Sequence, residues 1–176
     1  MANAKKENKI NDLRAMKPIV DFPQYVIDID GHVYNIETGL CVRSSKTKTG
    51  AVKINLYLNG FPSTRSIPRL VAEAYVVNDK NPNIFDTPIH LDNDLTNNHA
   101  DNLLWRPRWF AIKYYQQHSF PNFNNATSNI QDLETGEKYI GFVELCHTFG
   151  ILYFDVFNSC VRGDSVFPIG KKFVFL

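Results

Sequence analysis

From Phe22 onward the chain alternates apolar and polar positions with the period of a β-strand. Tyr25-Val26-Ile27-Asp28-Ile29 reads as a strand, Asp30-Gly31 as a turn, and His32-Val33-Tyr34-Asn35-Ile36 as the strand that returns. Ser44 to Gly50 is polar, rich in Lys and Thr, and reads as a loop. Val52 to Leu58 alternates again, Asn59-Gly60 is a hairpin turn, and Thr64 to Ile67 is the partner strand. Pro68 suits the first turn of a helix, where its missing N–H costs nothing, and Arg69 to Tyr75 continues with helical character. Asn78 to Pro88 reads as a loop, Ile89-His90-Leu91 as a short apolar stretch, and Asp92-Asn93-Asp94 as a turn. Asn98 to Leu104 suits a short helix.

Beyond Arg106 the period is lost until Asn125, with helical character between Trp109 and Gln117. The last fifty residues regain a pattern. Ile130 to Leu133 and Lys138 to Ile140 flank the turn signal Thr135-Gly136. Phe142 to Phe149 and Leu152 to Val161 each read as a helix, ended by Gly150 and Gly163, and Lys172 to Phe175 as a closing strand. Two short helices joined by a tight turn predict a helix-turn-helix. The expected fold class is α+β.

Composition narrows this picture. The 176 residues carry 44% hydrophobic and 21% charged side chains, which is the balance of a globular protein. Net charge is +1, so the total does not announce a nucleic-acid binder. The distribution does more: residues 1–20 net +3, residues 76–105 net −4 and residues 106–125 net +3, so basic stretches flank an acidic middle. The three cysteines, Cys41, Cys146 and Cys160, form no CxxC, which excludes a disulfide framework or zinc knuckle and predicts a reducing compartment. The N-terminus lacks the apolar core of a signal peptide, and no apolar run reaches the roughly 18 residues of a membrane span.

Three stretches carry a family signature. Tyr25, Ile27, Asp28, Gly31, Val33, Tyr34 and Asn35 occur in one order, Pro68-Arg69-Leu70-Val71-Ala72-Glu73-Ala74-Tyr75 in a second, and Ile89-His90-Leu91-Asp92 through Asn97-Asn98 to Asn102-Leu103-Leu104-Trp105 in a third. With Thr135-Gly136-Glu137, Gly150, Gly163 and Gly170 in the tail, the chain resembles the phage-type HNH homing endonucleases from about Phe22 to Phe175. The resemblance implies a flexible basic tail over 1–20 and an antiparallel β module over 21–66. A ββα-metal core over 67–112, a linker over 113–126 and a helix-turn-helix module over 127–176 complete the order. In that family a His at the end of a short strand is the general base. An oxygen ligand beside it and another on the following helix hold a divalent cation, and an Asn fixes the loop between them.

By resemblance His90 takes the place of the base and Asn102 that of the loop-fixing Asn. The ligand positions fall on Ile89 and Ala111, neither of which offers a donor atom. Hard cations need several oxygen ligands, so no metal cofactor is expected and catalysis should be lost or weak. Asp92 and Asp94 are the candidates for a displaced metal site, in which case magnesium or manganese would serve an active nickase. They equally suit a turn. The bland reading of His90 is a packed, hydrogen-bonded histidine in an old fold.

DNA is the expected partner. Lys46, Lys48, Lys53, Arg106, Arg108 and Lys113 are the candidate phosphate contacts, and Asn158 and Arg162 the candidate base contacts on the second helix of the C-terminal pair. That helix is otherwise apolar, which leaves open a module recruited to a protein machine such as a polymerase, ribosome or virion component. The resemblance places the protein inside an infected bacterial host or on a virion.

Overall fold

A computed structural model describes residues 16–121, 123 and 128–176. The first fifteen residues of the expected basic tail, and residues 122 and 124–126 of the expected linker, lie outside it. The described chain divides into two compact units. One holds residues up to Pro82 together with Asp94–Trp105. The other holds Asn83–Asn93 and Arg106–Leu176.

In the first unit, β1 (Lys17–Ile19), β2 (Phe22–Ile27) and β3 (Val33–Asn35) form an antiparallel sheet in that order. The register pairs Tyr25 with Asn35 and Ile27 with Val33, so the Asp30-Gly31 turn falls where the sequence puts it. Gly31 has φ +88°, and a Cβ there would come within 2.6 Å of Ile67 Cγ2. The turn therefore needs glycine both for its backbone and for the close approach of a helix. A second sheet has the order β4 (Ser44–Lys46), β5 (Val52–Leu58), β6 (Phe61–Ser66). Along β5, Val52, Ile54 and Leu56 are buried while Lys53, Asn55 and Tyr57 face solvent, the period of two that its sequence carries. Asn59 and Gly60 both take positive φ, 52° and 83°, as a two-residue hairpin of the mirror-turn type requires.

Ser66 is extended and ends β6, and α1 (Ile67–Tyr75) begins at once with Pro68 in its first turn. Ile67, Leu70, Val71 and Ala72 form its buried face. Ile67, Leu70 and Val71, at i, i+3 and i+4, form one helical stripe, and the buried Pro68 and Ala72 widen it. Trp105 is buried and donates its indole N–H to Val76 O over 3.1 Å.

Two elements differ from expectation here. Ser44–Lys46 is a short strand rather than loop, because its backbone pairs with Val52–Ile54 whatever its side chains prefer. The helix expected over Asn98–Leu104 is one 3-10 turn, Ala100–Asn102, followed by β8 (Leu103–Arg106). Leu103 and Trp105 are both buried, with Leu104 between them half-buried, and such alternation suits an extended segment. The Ala100 N–H is drawn to Ile29 O, outside any helix ladder.

In the second unit, β7 (Thr87–His90) leads to the turn at Asn93, and α2 spans Arg108–Gln117. The segment expected to begin a linker at Lys113 is thus still helical. Strands β9 (Asn129–Asp132), β10 (Lys138–Ile140) and β11 (Phe173–Phe175) form a sheet of order β10-β9-β11, which confirms the hairpin and the closing strand. Helices α3 (Gly141–Phe149) and α4 (Tyr153–Arg162) pack on it. Each is ended by a left-handed glycine, Gly150 at φ 58° and Gly163 at φ 77°. Phe142, Leu145, Cys146, Ile151, Val156 and Phe173 are central to the core beneath them. Asp132 is buried at the edge of this core. Its carboxylate accepts from Lys171 Nζ and from the Glu134 N–H, which offsets the desolvation of its charge.

Candidate functional site

Strand β7 delivers Ile89 and His90 to the interior; they are 0% and 3% exposed. α2 meets them with two consecutive tyrosines. Tyr115 Oη lies 3.0 Å from the His90 main-chain nitrogen and 3.0 Å from its Nδ1. The phenol accepts from the N–H and forms a second bond with Nδ1, in which its own proton or that of the imidazole is donated according to the histidine's tautomer. Burial raises the pKa of Tyr115, more than the bond from the His90 N–H lowers it, so the phenol keeps its proton at neutral pH. Tyr114 Oη donates to Leu91 O over 2.7 Å and lies 3.4 Å from Cys146 O. Burial pushes its phenol far above the usual range. The chain then turns, with the Asn93 N–H on His90 O over 3.1 Å and Asn93 in the left-handed region at φ 62°. Asp92 beyond it is exposed.

One turn before Tyr115 on the same helix stands Ala111, buried to 4% exposure. The four-residue step puts both side chains on one face of α2. In the first unit, Asn102 donates from Nδ2 to Asn97 O over 2.8 Å and braces the loop that carries it. Asp94 in that loop accepts the Thr96 N–H on Oδ1 over 2.8 Å, as a turn-forming aspartate does.

No family model matches the chain. A curated relative, an uncharacterized HNH endonuclease of Acanthamoeba polyphaga mimivirus, is 28% identical over 134 residues. The alignment covers 69% of this chain and 39% of the relative, so the chain spans about two fifths of that protein's length. A solved structure concerned with DNA binding and cleavage by the HNH homing endonuclease I-HmuI superposes with a TM-score of 0.52 at 20% identity. It covers 91% of this chain and 97% of that one. The fold is that of the HNH homing endonucleases.

The resemblance read from the sequence is thereby borne out, and so is the α+β class. Within the HNH frame the donor set does not suit a divalent cation. Ile89 and Ala111, to which the resemblance assigns the two ligand positions, have side chains of carbon alone, and Nδ1 of His90 faces a phenol. Among the described residues, ligand-type side chains converge elsewhere, at Asp28, Asp30 and His32, whose ligand atoms lie within 4.8 Å of one another. There Asp28 Oδ1 accepts the Asp30 and His32 N–H groups and Oδ2 pairs with His32 Nδ1, the bonding of a locked hairpin turn.

The candidate DNA contacts fall in different settings. Lys46, Lys48 and Lys53 are exposed on β4, β5 and the turn between them. Arg108 and Lys113 are exposed on α2, where Lys113 Nζ stands 5.4 Å from the centre of the Trp109 ring. Arg162 is exposed in the last turn of α4 and Asn158 is half-buried. Arg106 departs from its expected role. It is 6% exposed and donates from Nε to Gly150 O over 3.0 Å and from Nη2 to Phe149 O over 2.7 Å. Its guanidinium satisfies the carbonyl end of α3, a structural duty that its place in a basic stretch of the sequence does not reveal.

Two further features were not anticipated. One is Tyr115 against His90, for which the four-residue step from Ala111 was the available signal. The other is a histidine pair. His118 and His147 bring Nε2 to Nε2 at 3.1 Å, with ring centres 5.3 Å apart, and His118 Nδ1 donates to Tyr114 O over 2.9 Å. Burial lowers the pKa of both. No described helix is long and apolar enough to cross a membrane.

Proposed function

We propose that this protein is an HNH-derived DNA-binding protein whose strand-cleaving activity is lost or weak. The observation that carries the reading is the enclosed His90. Its Nδ1 is shared with Tyr115, and Ile89 and Ala111 stand where the resemblance puts oxygen ligands. A general base must reach the water it activates, and a metal-assisted displacement needs the cation beside it. The exposed Lys46, Lys48, Lys53, Arg108 and Lys113 support contact with a phosphate backbone, with Trp109 beside Lys113 as an aromatic surface.

The test is plasmid nicking by the purified protein with magnesium and with manganese, next to His90→Ala. No nicking in either metal is expected. Metal-dependent nicking that disappears in His90→Ala would overturn the loss of catalysis and return Asp92 and Asp94 as candidate ligands.

One observation favours a second reading, a module that binds a protein. Phe154, Phe157 and Val161, at i, i+3 and i+7 of α4, are 58%, 40% and 59% exposed. That stripe suits an apolar partner better than a phosphate backbone. It predicts co-purification with a protein that high salt does not disrupt, whereas a DNA complex weakens steeply as salt rises.

A further inference from the structure

A cavity of about 270 Å³ opens in the second unit between α2 and the start of α4. Lys113, Gln116, Gln117 and Phe120 contribute one wall, at i, i+3, i+4 and i+7 along α2 and its extension. Leu152, Phe154 and Asp155 form the other. Gln117 sets the distance between the walls. Its Oε1 accepts the Tyr153 N–H over 2.8 Å and its Nε2 donates to Ile151 O over 3.3 Å, so the cavity is held open by a buried clamp. Phe120 and Phe154 stand edge to face with ring centres 6.1 Å apart, and both remain largely exposed.

Size and lining together select an occupant. Sites for drug-sized ligands begin near ~300 Å³, so this cavity admits about one flat ring system. Phe120 and Phe154 are inclined to each other at 65°, so one of them offers a face on which such a ring stacks and the other an edge beside it. Gln116 both donates and accepts, Asp155 accepts from amino groups such as those of cytosine and adenine, and Lys113 at the rim carries the charge a phosphate attracts. An apolar side chain from a protein would leave these polar groups without a role. A base pair is too wide to enter. We propose that this cavity receives a single unpaired nucleobase. An open groove lined by Phe120, Pro121, Tyr153, Phe154 and Phe157 shares two aromatic walls with it and offers ring faces to a neighbouring base rather than to its phosphate.

The proposal rests on the DNA-binding reading above and is tested separately from it. Fluorescence anisotropy at low ionic strength compares a labelled duplex with the same duplex carrying one bulged base. Stacking of one base on an aromatic side chain corresponds to about fivefold or more in affinity, so the bulged duplex is expected to bind at least that much tighter. Phe154→Ala should remove the preference and leave perfect-duplex affinity within about twofold, because stacking is lost and phosphate contacts are kept. Gln116→Ala should change which bulged base binds best. Equal binding of both duplexes by the unaltered protein overturns the cavity and leaves DNA binding standing. An equal loss on both duplexes in Phe154→Ala also overturns it, since Phe154 would then be a general contact. Failure to bind either duplex overturns both readings.

Discussion

The proposed loss of cleavage turns on His90, whose buried surroundings are completed by a tyrosine. In a working HNH site the base faces water and a cation, and neither position next to it here can hold one. Tyr115 Oη instead takes both the main-chain N–H and Nδ1 of His90. The phenol therefore stabilises the buried end of β7. Removing its oxygen in Tyr115→Phe takes one bond from the main-chain N–H and one from the ring of a buried residue, at a cost of about 1 kcal/mol or more for each bond lost. Urea denaturation should register the loss as a lower midpoint with unchanged slope. An unchanged midpoint would mean that solvent reaches His90 and that its enclosure is not structural. Restoring nicking is not expected from this change alone, because Ile89 and Ala111 still supply no oxygen.

At the scale of elements, α2 is the organiser of the second unit. Tyr114 and Tyr115 hold the end of β7, Gln117 holds the start of α4, and His118 meets α3 through His147. This last contact predicts a pH dependence. His118 Nδ1 must carry a proton to donate to Tyr114 O, so its Nε2 accepts and His147 Nε2 donates when both rings are neutral. Protonating both would set two N–H groups and two charges face to face. For His118 burial lowers the pKa, bonds to the Tyr114 and Tyr115 carbonyls oppose this, and the charge of His147 adds to it. For His147 burial lowers it and the Asp92 carboxylate opposes. Each folded pKa lies below 6.5, so between that depressed value and 6.5 the unfolded chain binds more protons. The contribution to stability is complete above pH 6.5 and is lost as pH falls through the folded pKa values. Denaturation midpoints measured from pH 7.5 to 5.5 should fall less steeply in His147→Gln, which removes one titrating ring and keeps a donor. Parallel curves for the two proteins would sink the assignment.

For the whole molecule, the near-neutral total conceals a segregated charge, and DNA binding should report it. Each phosphate neutralised by a lysine or arginine steepens the fall of log K with log salt by about 0.9. Substituting Lys46, Lys48 and Lys53 together by Gln should lower that slope by up to about 3 if all three contact phosphate. Substituting Arg108 and Lys113 should lower it by up to about 2. An unchanged slope in either set removes that surface from the interface, and unchanged slopes in both favour the apolar face of α4 as the working surface.

Much of this was decided by local chemistry that the sequence displays. Asn59-Gly60 makes its hairpin because both residues tolerate positive φ, Pro68 opens α1 because its ring already holds the helical φ, and Gly150 and Gly163 end α3 and α4 because each takes the left-handed conformation that closes a helix. The absence of oxygen at Ile89 and Ala111 is likewise a fact of the sequence alone. What only the tertiary structure decided depends on how distant segments rotate against one another. Ala100 gave up a helix ladder for Ile29 O, seventy-one positions away. Arg106, one cation in a basic stretch, was buried by the carbonyls at the end of α3. Tyr115 met His90 across twenty-five positions. Side-chain spacing predicts which residues share a face, but the partner that face receives is set by packing of the whole unit, and that packing enclosed His90 against Tyr115.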